Sequence, residues 1–178
     1  MKISSKKRKP KLRKKSLKSS IKQNVKTVKH IRPPVITCYT DGSYSRESDT
    51  GGFCTYLECE GVSVIISGNE YHTTVNRMEI RAVLEALKAV QIRSVFLIHS
   101  DSMYVVNTIN NNWIRKWISK GWKTEAGTPV ANKDLWLEIF ELMQHHCVKM
   151  IWVKGHSGIE GNELCDEVAQ WQMRSLIK

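Results

Sequence analysis

From Val35 onward, three strand-like segments come in succession before the first helical one, and that order restricts the chain to a sheet with helices packed on it. Val35–Thr40 is β-branched and aromatic and stops at the turn signal Asp41-Gly42-Ser43. Gly52–Cys59 and Val62–Ser67 follow, joined at Glu60-Gly61, a link short enough to predict a hairpin and therefore a partly antiparallel sheet. Over Asn76–Val90 the period changes to 3.6, with Ile80, Val83, Leu84, Leu87 and Val90 on one face. Val95–Ile98 reads as a short buried strand, followed by a polar segment from Ser102. Asp134–His146 is amphipathic through Leu135, Ile139, Leu142 and Met143; Val148–Val153 reads as a strand and Asn162–Leu176 as a last helix. The expected order is β-β-β-α-β-α-α-β-α, a mixed α/β sheet with no internal repeat.

Charge divides the chain at Pro33-Pro34. Residues 1–34 hold 14 Lys/Arg and no acid, while the rest holds 14 Lys/Arg against all 17 Asp/Glu. A basic arm thus precedes a mildly acidic domain, and the expected boundary is an arm over 1–34 and a folded domain over 35–178. The arm lacks aromatic residues and too little of it is apolar to offset the entropy of ordering, so it is expected to be disordered. Its run Lys6–Lys15 suits nucleic acid or an import receptor; a solvated, solubilising tail is the plainer alternative.

With 41% hydrophobic residues a normal core is available, yet no run approaches the length of a membrane span, and no apolar segment of secretory type follows the basic start. Five cysteines without a Cys-x-x-Cys pair indicate neither a disulfide framework nor a zinc site. Free thiols point to a reducing, intracellular compartment, with the cytoplasm expected and nuclear or organellar targeting by the arm left open.

Four acids stand where chemistry is possible. Asp41 is expected at the end of the first strand, Glu79 near the start of the first helix, Asp101 at the end of the central strand, and Asp166 in the first turns of the last helix. Strand ends and helix starts on one edge of such a sheet form the usual ligand site. Crowded carboxylates repel, and a divalent cation with oxygen preference relieves that repulsion. Each acid also has a structural role open to it: Asp41 in a turn, Glu79 in a capping box with Asn76, Asp101 as a helix cap, Asp166 as a charge near a helix N-terminus.

The local contexts resemble type 1 ribonuclease H. Tyr39-Thr40-Asp41-Gly42-Ser43, Asn76-Arg77-Met78-Glu79-Ile80, Ser100-Asp101-Ser102-Met103-Tyr104-Val105, and Trp152-Val153-Lys154-Gly155-His156-Ser157-Gly158 with Gly161-Asn162-Glu163-Leu164-Cys165-Asp166-Glu167 match that family's motifs in order and spacing, over roughly residues 35–174. The resemblance implies the ribonuclease H-like fold: a five-stranded mixed sheet, antiparallel through its first three strands and parallel thereafter. It implies an endonuclease hydrolysing the RNA strand of RNA–DNA hybrids to 5′-phosphate and 3′-hydroxyl ends. Asp41, Glu79, Asp101 and Asp166 match the residues holding two Mg²⁺ ions, with Mn²⁺ a possible substitute, and His156 matches the family's histidine on a mobile loop.

Substrate contacts follow the same way. Residues 113–124 interleave Trp113, Trp117 and Trp122 with Arg115, Lys116, Lys120 and Lys123, which suits a nucleic-acid backbone. The same spacing suits tryptophans packed inward. The segment resembles the family's basic protrusion, although Ile118 and Ser119 stand where cations are common. Asn76 matches a residue reading the 2′-hydroxyl; Thr74 and Asn132 resemble contacts to the DNA-strand phosphate. Val75 replaces the usual polar amide, and the loop Tyr44–Thr50 lacks the Gly/Pro-rich form of many relatives. The expectation is a monomeric, stand-alone enzyme. A non-catalytic hybrid-binding module would not need four carboxylates, a reverse-transcriptase domain would accompany a polymerase segment, and a junction nuclease would lack the Asn76–Glu79 and Gly155–Gly158 signatures.

Overall fold

A computed structural model describes residues 32–177, so the expectation for the arm lies, up to residue 31, outside the described residues. Strands β1 (Val35–Ser45), β2 (Thr50–Cys59) and β3 (Val62–Tyr71) are followed by α1 (Val75–Lys88), β4 (Val95–Ser100), α2 (Met103–Asn110), α3 (Trp113–Ser119), α4 (Lys133–His145), β5 (Cys147–Trp152) and α5 (Glu160–Ser175). The sheet order is β3-β2-β1-β4-β5. β1, β2 and β3 pair antiparallel, and β1, β4 and β5 pair parallel, which is the expected mixed sheet. Glu60 and Gly61 both have positive φ (52° and 80°), the two-residue turn that matches the twist of a hairpin.

Two layers of helix cover the sheet. On one face α1 buries Ile80, Val83, Leu84 and Leu87 against Ile36, Cys38, Phe96 and Ile98, with Leu135, Trp136 and Ile139 of α4 completing the cluster. Each such side chain contributes about 1.5–3 kcal/mol by leaving water. On the other face α5 packs Cys165 and Ala169 on Cys54, flanked by Tyr39 and Tyr56.

Three local expectations are corrected. Asp41 does not end β1, which runs on to Ser45 because its pairing with β2 continues after its ladder with β4 stops at Tyr39–His99; only Arg46–Asp49 form the turn of the expected 44–50 loop. The stretch before α4 holds two helices, giving three between β4 and β5, because Asn112 turns left-handed (φ 55°) and breaks α2 from α3. Asn76 does not cap α1: Thr74 does, accepting the Arg77 N–H at 3.2 Å, and the capping box with Glu79 is absent.

Candidate active site

Parallel register brings the first two acids together. Tyr39 pairs with His99, so Asp41, still on β1, and Asp101, the first residue beyond β4, each lie two residues past that pair, and their carboxylates meet at one edge of the sheet. Glu79 arrives from α1, because Gly42 has no side chain: a Cβ there would run into the Glu79 N and the Met78 carbonyl carbon. The backbone of α1 therefore rests directly on β1. Oxygens of Asp41, Glu79 and Asp101 all lie within 4.8 Å of one another.

The crowding has electrostatic consequences. Burial, then the charge of Asp101, push the Asp41 carboxyl up to about 7, against the Gly42 N–H, which donates to its Oδ1 at 2.8 Å. Burial, then Asp41 and Asp101, raise Glu79 well above the ordinary carboxylate range. Glu79 Oε2 is fully buried and lacks a hydrogen-bond partner. An orphaned carboxylate oxygen inside an all-oxygen cluster is what a hard divalent cation satisfies, and the donor set fits Mg²⁺ or Mn²⁺ equally.

Asp166 stands beside this trio rather than within it. Its charge also raises Asp41, while its Oδ1 accepts the Gln170 side-chain amide at 2.8 Å from one turn on. Its Oδ2 lies 3.7 Å from Nδ1 of His156, whose side chain is 81% exposed. His156 sits in the left-handed region (φ 51°) on the loop between β5 and α5, whose Gly155 abuts the Asp101 carboxylate: a Cβ there would come within 2.6 Å of Oδ2.

Three of the expected substrate residues, Asn76, Trp113 and Trp117, come together in one cleft. Asn76, Trp113, Lys116, Trp117 and Val130 share the walls of a cleft of about 550 Å³. The inward-packed reading of the tryptophans holds in part. Trp113, Trp117 and Trp122 form a chain with centroids 6.3 Å apart at each step; Trp117 reaches Trp136 of the core at 6.0 Å, and Trp117 and Trp122 are partly buried. Lys120 is held by Glu125 (2.6 Å), while Lys123 is exposed. Asn132 comes near Thr74 and Asn76 through Arg77, a residue to which the motif pattern assigns no role. Its Nη1 donates to Asn132 Oδ1 (3.3 Å), its Nη1 and Nη2 pair with both oxygens of Asp134 (3.1 and 2.7 Å), and its Nε donates to Glu70 (3.3 Å). One guanidinium thus ties β3, α1 and the start of α4. Its place between Asn76 and Glu79 was a signal, but its partners lie up to 57 residues away.

Comparison with known proteins agrees with the geometry. Among solved structures, the fold matches LC9-RNase H1, a type 1 RNase H with the type 2 active-site motif (TM-score 0.71, 30% identity, covering 82% of this chain and 74% of that one). It also matches a foamy viral protease-reverse transcriptase solved in complex with RNA/DNA hybrid (TM-score 0.63, 21% identity, 85% of this chain and 22% of that one), a likeness of fold alone. The fold is that of a type 1 ribonuclease H. The RNase H family model matches residues 33–174. Ribonuclease H of Caldicellulosiruptor saccharolyticus is 43% identical over 80% of this chain and 96% of its own length, and that of Francisella philomiragia is 44% identical over 75% and 88%. The chain belongs to the ribonuclease H family, metal-dependent endoribonucleases that cut the RNA strand of RNA–DNA hybrids. Among the described residues no helix is long and apolar enough to cross a membrane.

Proposed function

We propose that the chain cleaves hybrid RNA by a two-metal-ion mechanism in which Asp41, Glu79, Asp101 and Asp166 hold two Mg²⁺ ions, for which Mn²⁺ can substitute. The convergence of Asp41, Glu79 and Asp101 around the orphaned Glu79 oxygen carries this reading. When bound, the cations supply an activated water and charge for the departing oxygen. A water oxygen bonds to phosphorus and the P–O3′ bond breaks, leaving a 5′-phosphate; the 3′ oxygen takes up a proton to become a hydroxyl. His156, exposed beside Asp166, moves a proton at this edge.

Binding and selection are assigned to the neighbouring elements. Asn76, exposed in the first turn of α1, reads the 2′-hydroxyl. Thr74 and Asn132, held in one arrangement by Arg77, take a phosphate of the DNA strand. Trp113, Trp117 and Trp122, with Lys120 and Lys123, form the surface along which that strand runs. Residues 1–34 act as a basic arm on the 35–178 catalytic domain, adding attraction to the polyanion.

The test is an RNA strand, labelled and annealed to DNA, incubated with Mg²⁺ beside RNA-duplex and DNA-duplex controls. Only the hybrid is cut, and EDTA stops it. Asp101→Asn lowers the rate by more than the ~10- to 100-fold that loss of an outer partner of a metal ligand causes. Hybrid that is bound but uncut with both Mg²⁺ and Mn²⁺ overturns the catalytic reading.

A further inference from the structure

The loop between β5 and α5 is held at its two ends by different means. At its start the hold is backbone and packing: Val153 N–H donates to the Ser100 carbonyl (3.1 Å), Trp152 Nε1–H donates to the Asp101 carbonyl (3.3 Å), and Gly155 abuts the Asp101 carboxylate. At its far end a single side chain holds it, Glu163 Oε1 accepting the Gly158 N–H at 2.6 Å. Between them Ser157 Oγ donates to the Lys154 carbonyl (2.6 Å), and His156 is held at φ 51°, a conformation that L side chains adopt rarely. His156, Ser157 and Gly158 are all exposed.

Glu163 does not behave as an ordinary helix cap. The N-cap of α5 is Ile159, and Glu163 lies one turn inside the helix, reaching back past the cap to a residue of the loop. A carboxylate accepting an amide at this distance makes a charge-assisted bond, stronger than a neutral one. The same loop residue, Gly158, has φ 81°, where glycine turns freely, so breaking this one bond frees the chain on the His156 side while the Gly155 side stays packed.

We propose that Glu163 is a positioning residue for His156. Its carboxylate latches the loop so that Nδ1 of His156 rests 3.7 Å from Asp166, and letting go of Gly158 is what releases the histidine. This rests on the proton-transfer role given to His156 above.

The experiment compares kcat and KM on the hybrid for wild type, Glu163→Ala, Glu163→Gln, His156→Ala and the double variant Glu163→Ala/His156→Ala, with amide hydrogen exchange of Gly158 followed by NMR in each. A misplaced general acid or base loses about tenfold or more of its contribution, so Glu163→Ala is expected to lower kcat by about tenfold with KM within about twofold. Glu163→Gln keeps an oxygen acceptor and recovers most of the loss. In the His156→Ala background, Glu163→Ala changes kcat by less than about twofold, because a residue acting through another loses its effect with it. Gly158 exchanges quickly only where residue 163 is Ala. An equal loss of kcat in both backgrounds, or a Gly158 amide as protected in Glu163→Ala as in wild type, overturns the latch. If His156→Ala itself leaves kcat unchanged, the role of His156 falls and the catalytic consequence of the latch falls with it, whereas the bond itself is still judged by the Gly158 exchange.

Discussion

Tyr39 of β1 and His99 of β4 are partners in the parallel ladder, their rings stacked with centroids 4.6 Å apart, and Asp41 follows two residues on in β1 as Asp101 does just past the end of β4. Register alone therefore forces two like charges together, and α1 adds a third. In the metal-free protein Asp41, raised to about 7, is protonated more readily folded than unfolded. Stability is then full below the ordinary carboxylate range and is lost as pH rises from about 4 through 7. Asp41→Asn is expected to flatten this fall and to stabilise the metal-free protein at pH 8 by up to about 4 kcal/mol, since roughly three displaced pH units carry about 1.4 kcal/mol each. Urea melts at pH 5 and pH 8 with EDTA present check it; a wild-type protein that gains stability between the two contradicts it.

Cations reverse the same penalty. Mg²⁺ added at 100 times its dissociation constant is expected to stabilise the wild type by about 2.7 kcal/mol. Asp101→Asn, which leaves the trio one carboxylate short, should show little of that gain in a thermal melt.

Gly42 is where α1 rests on β1. Gly42→Ala puts a methyl into the backbone of Met78 and Glu79 and is expected to cost about 1–3 kcal/mol, as overpacking does. The displaced α1 carries Glu79 out of the trio, so Mg²⁺ affinity by calorimetry should fall as well; a variant that loses stability but binds Mg²⁺ as before shows that α1 did not move.

Arg77 ties Glu70, Asn132 and Asp134 across three elements. Arg77→Met keeps the stem and removes the fork. Because Asp134 is 58% exposed, the stability cost is small, at most about 1 kcal/mol. The larger expected effect is a rise in KM of about tenfold with kcat nearly kept, since Asn132 loses the guanidinium that fixes it, whereas Thr74 keeps the backbone N–H of residue 77 and the Asp41–Asp101 pair is untouched.

Deleting residues 2–32 removes all 14 cations of the arm. KM is expected to rise more than kcat falls, and the dependence of binding on salt to become shallower. A KM unchanged at physiological salt would count against any role for the arm in holding the hybrid.

Much of this was readable from local pattern. Ile80, Val83, Leu84 and Leu87 announced α1, Glu60-Gly61 announced the hairpin, and the apolar runs of β4 and β5 marked the two parallel strands. What escaped depends on neighbours distant in sequence. Asp41 looks like a strand end because Asp-Gly-Ser favours turns, yet Cys54 and Phe53 of β2 pair with Asp41 and Gly42 and carry the strand through them. Asn111-Asn112 carries no breaker stronger than asparagine, so the division of α2 from α3 is set by one left-handed residue. Glu79 fits a capping box in sequence; burial against β1 is what gives it a different partner set.

The five thiols differ sharply in their surroundings. Cys38, Cys54 and Cys165 are buried, with Cys38 pushed up to about 12 by its burial and Cys165 raised by its contact with Cys54 and by burial, while Cys147 is exposed at the first residue of β5. A maleimide dye added to the unaltered protein should therefore find Cys147 first. The strand ends at Trp152, beside Asp101, so the dye would sit about 17 Å from the carboxylate edge at 3.3 Å per residue. The fold thus comes with its own reporter position, near enough to sense an arriving hybrid by energy transfer and far enough to leave the cleavage site untouched.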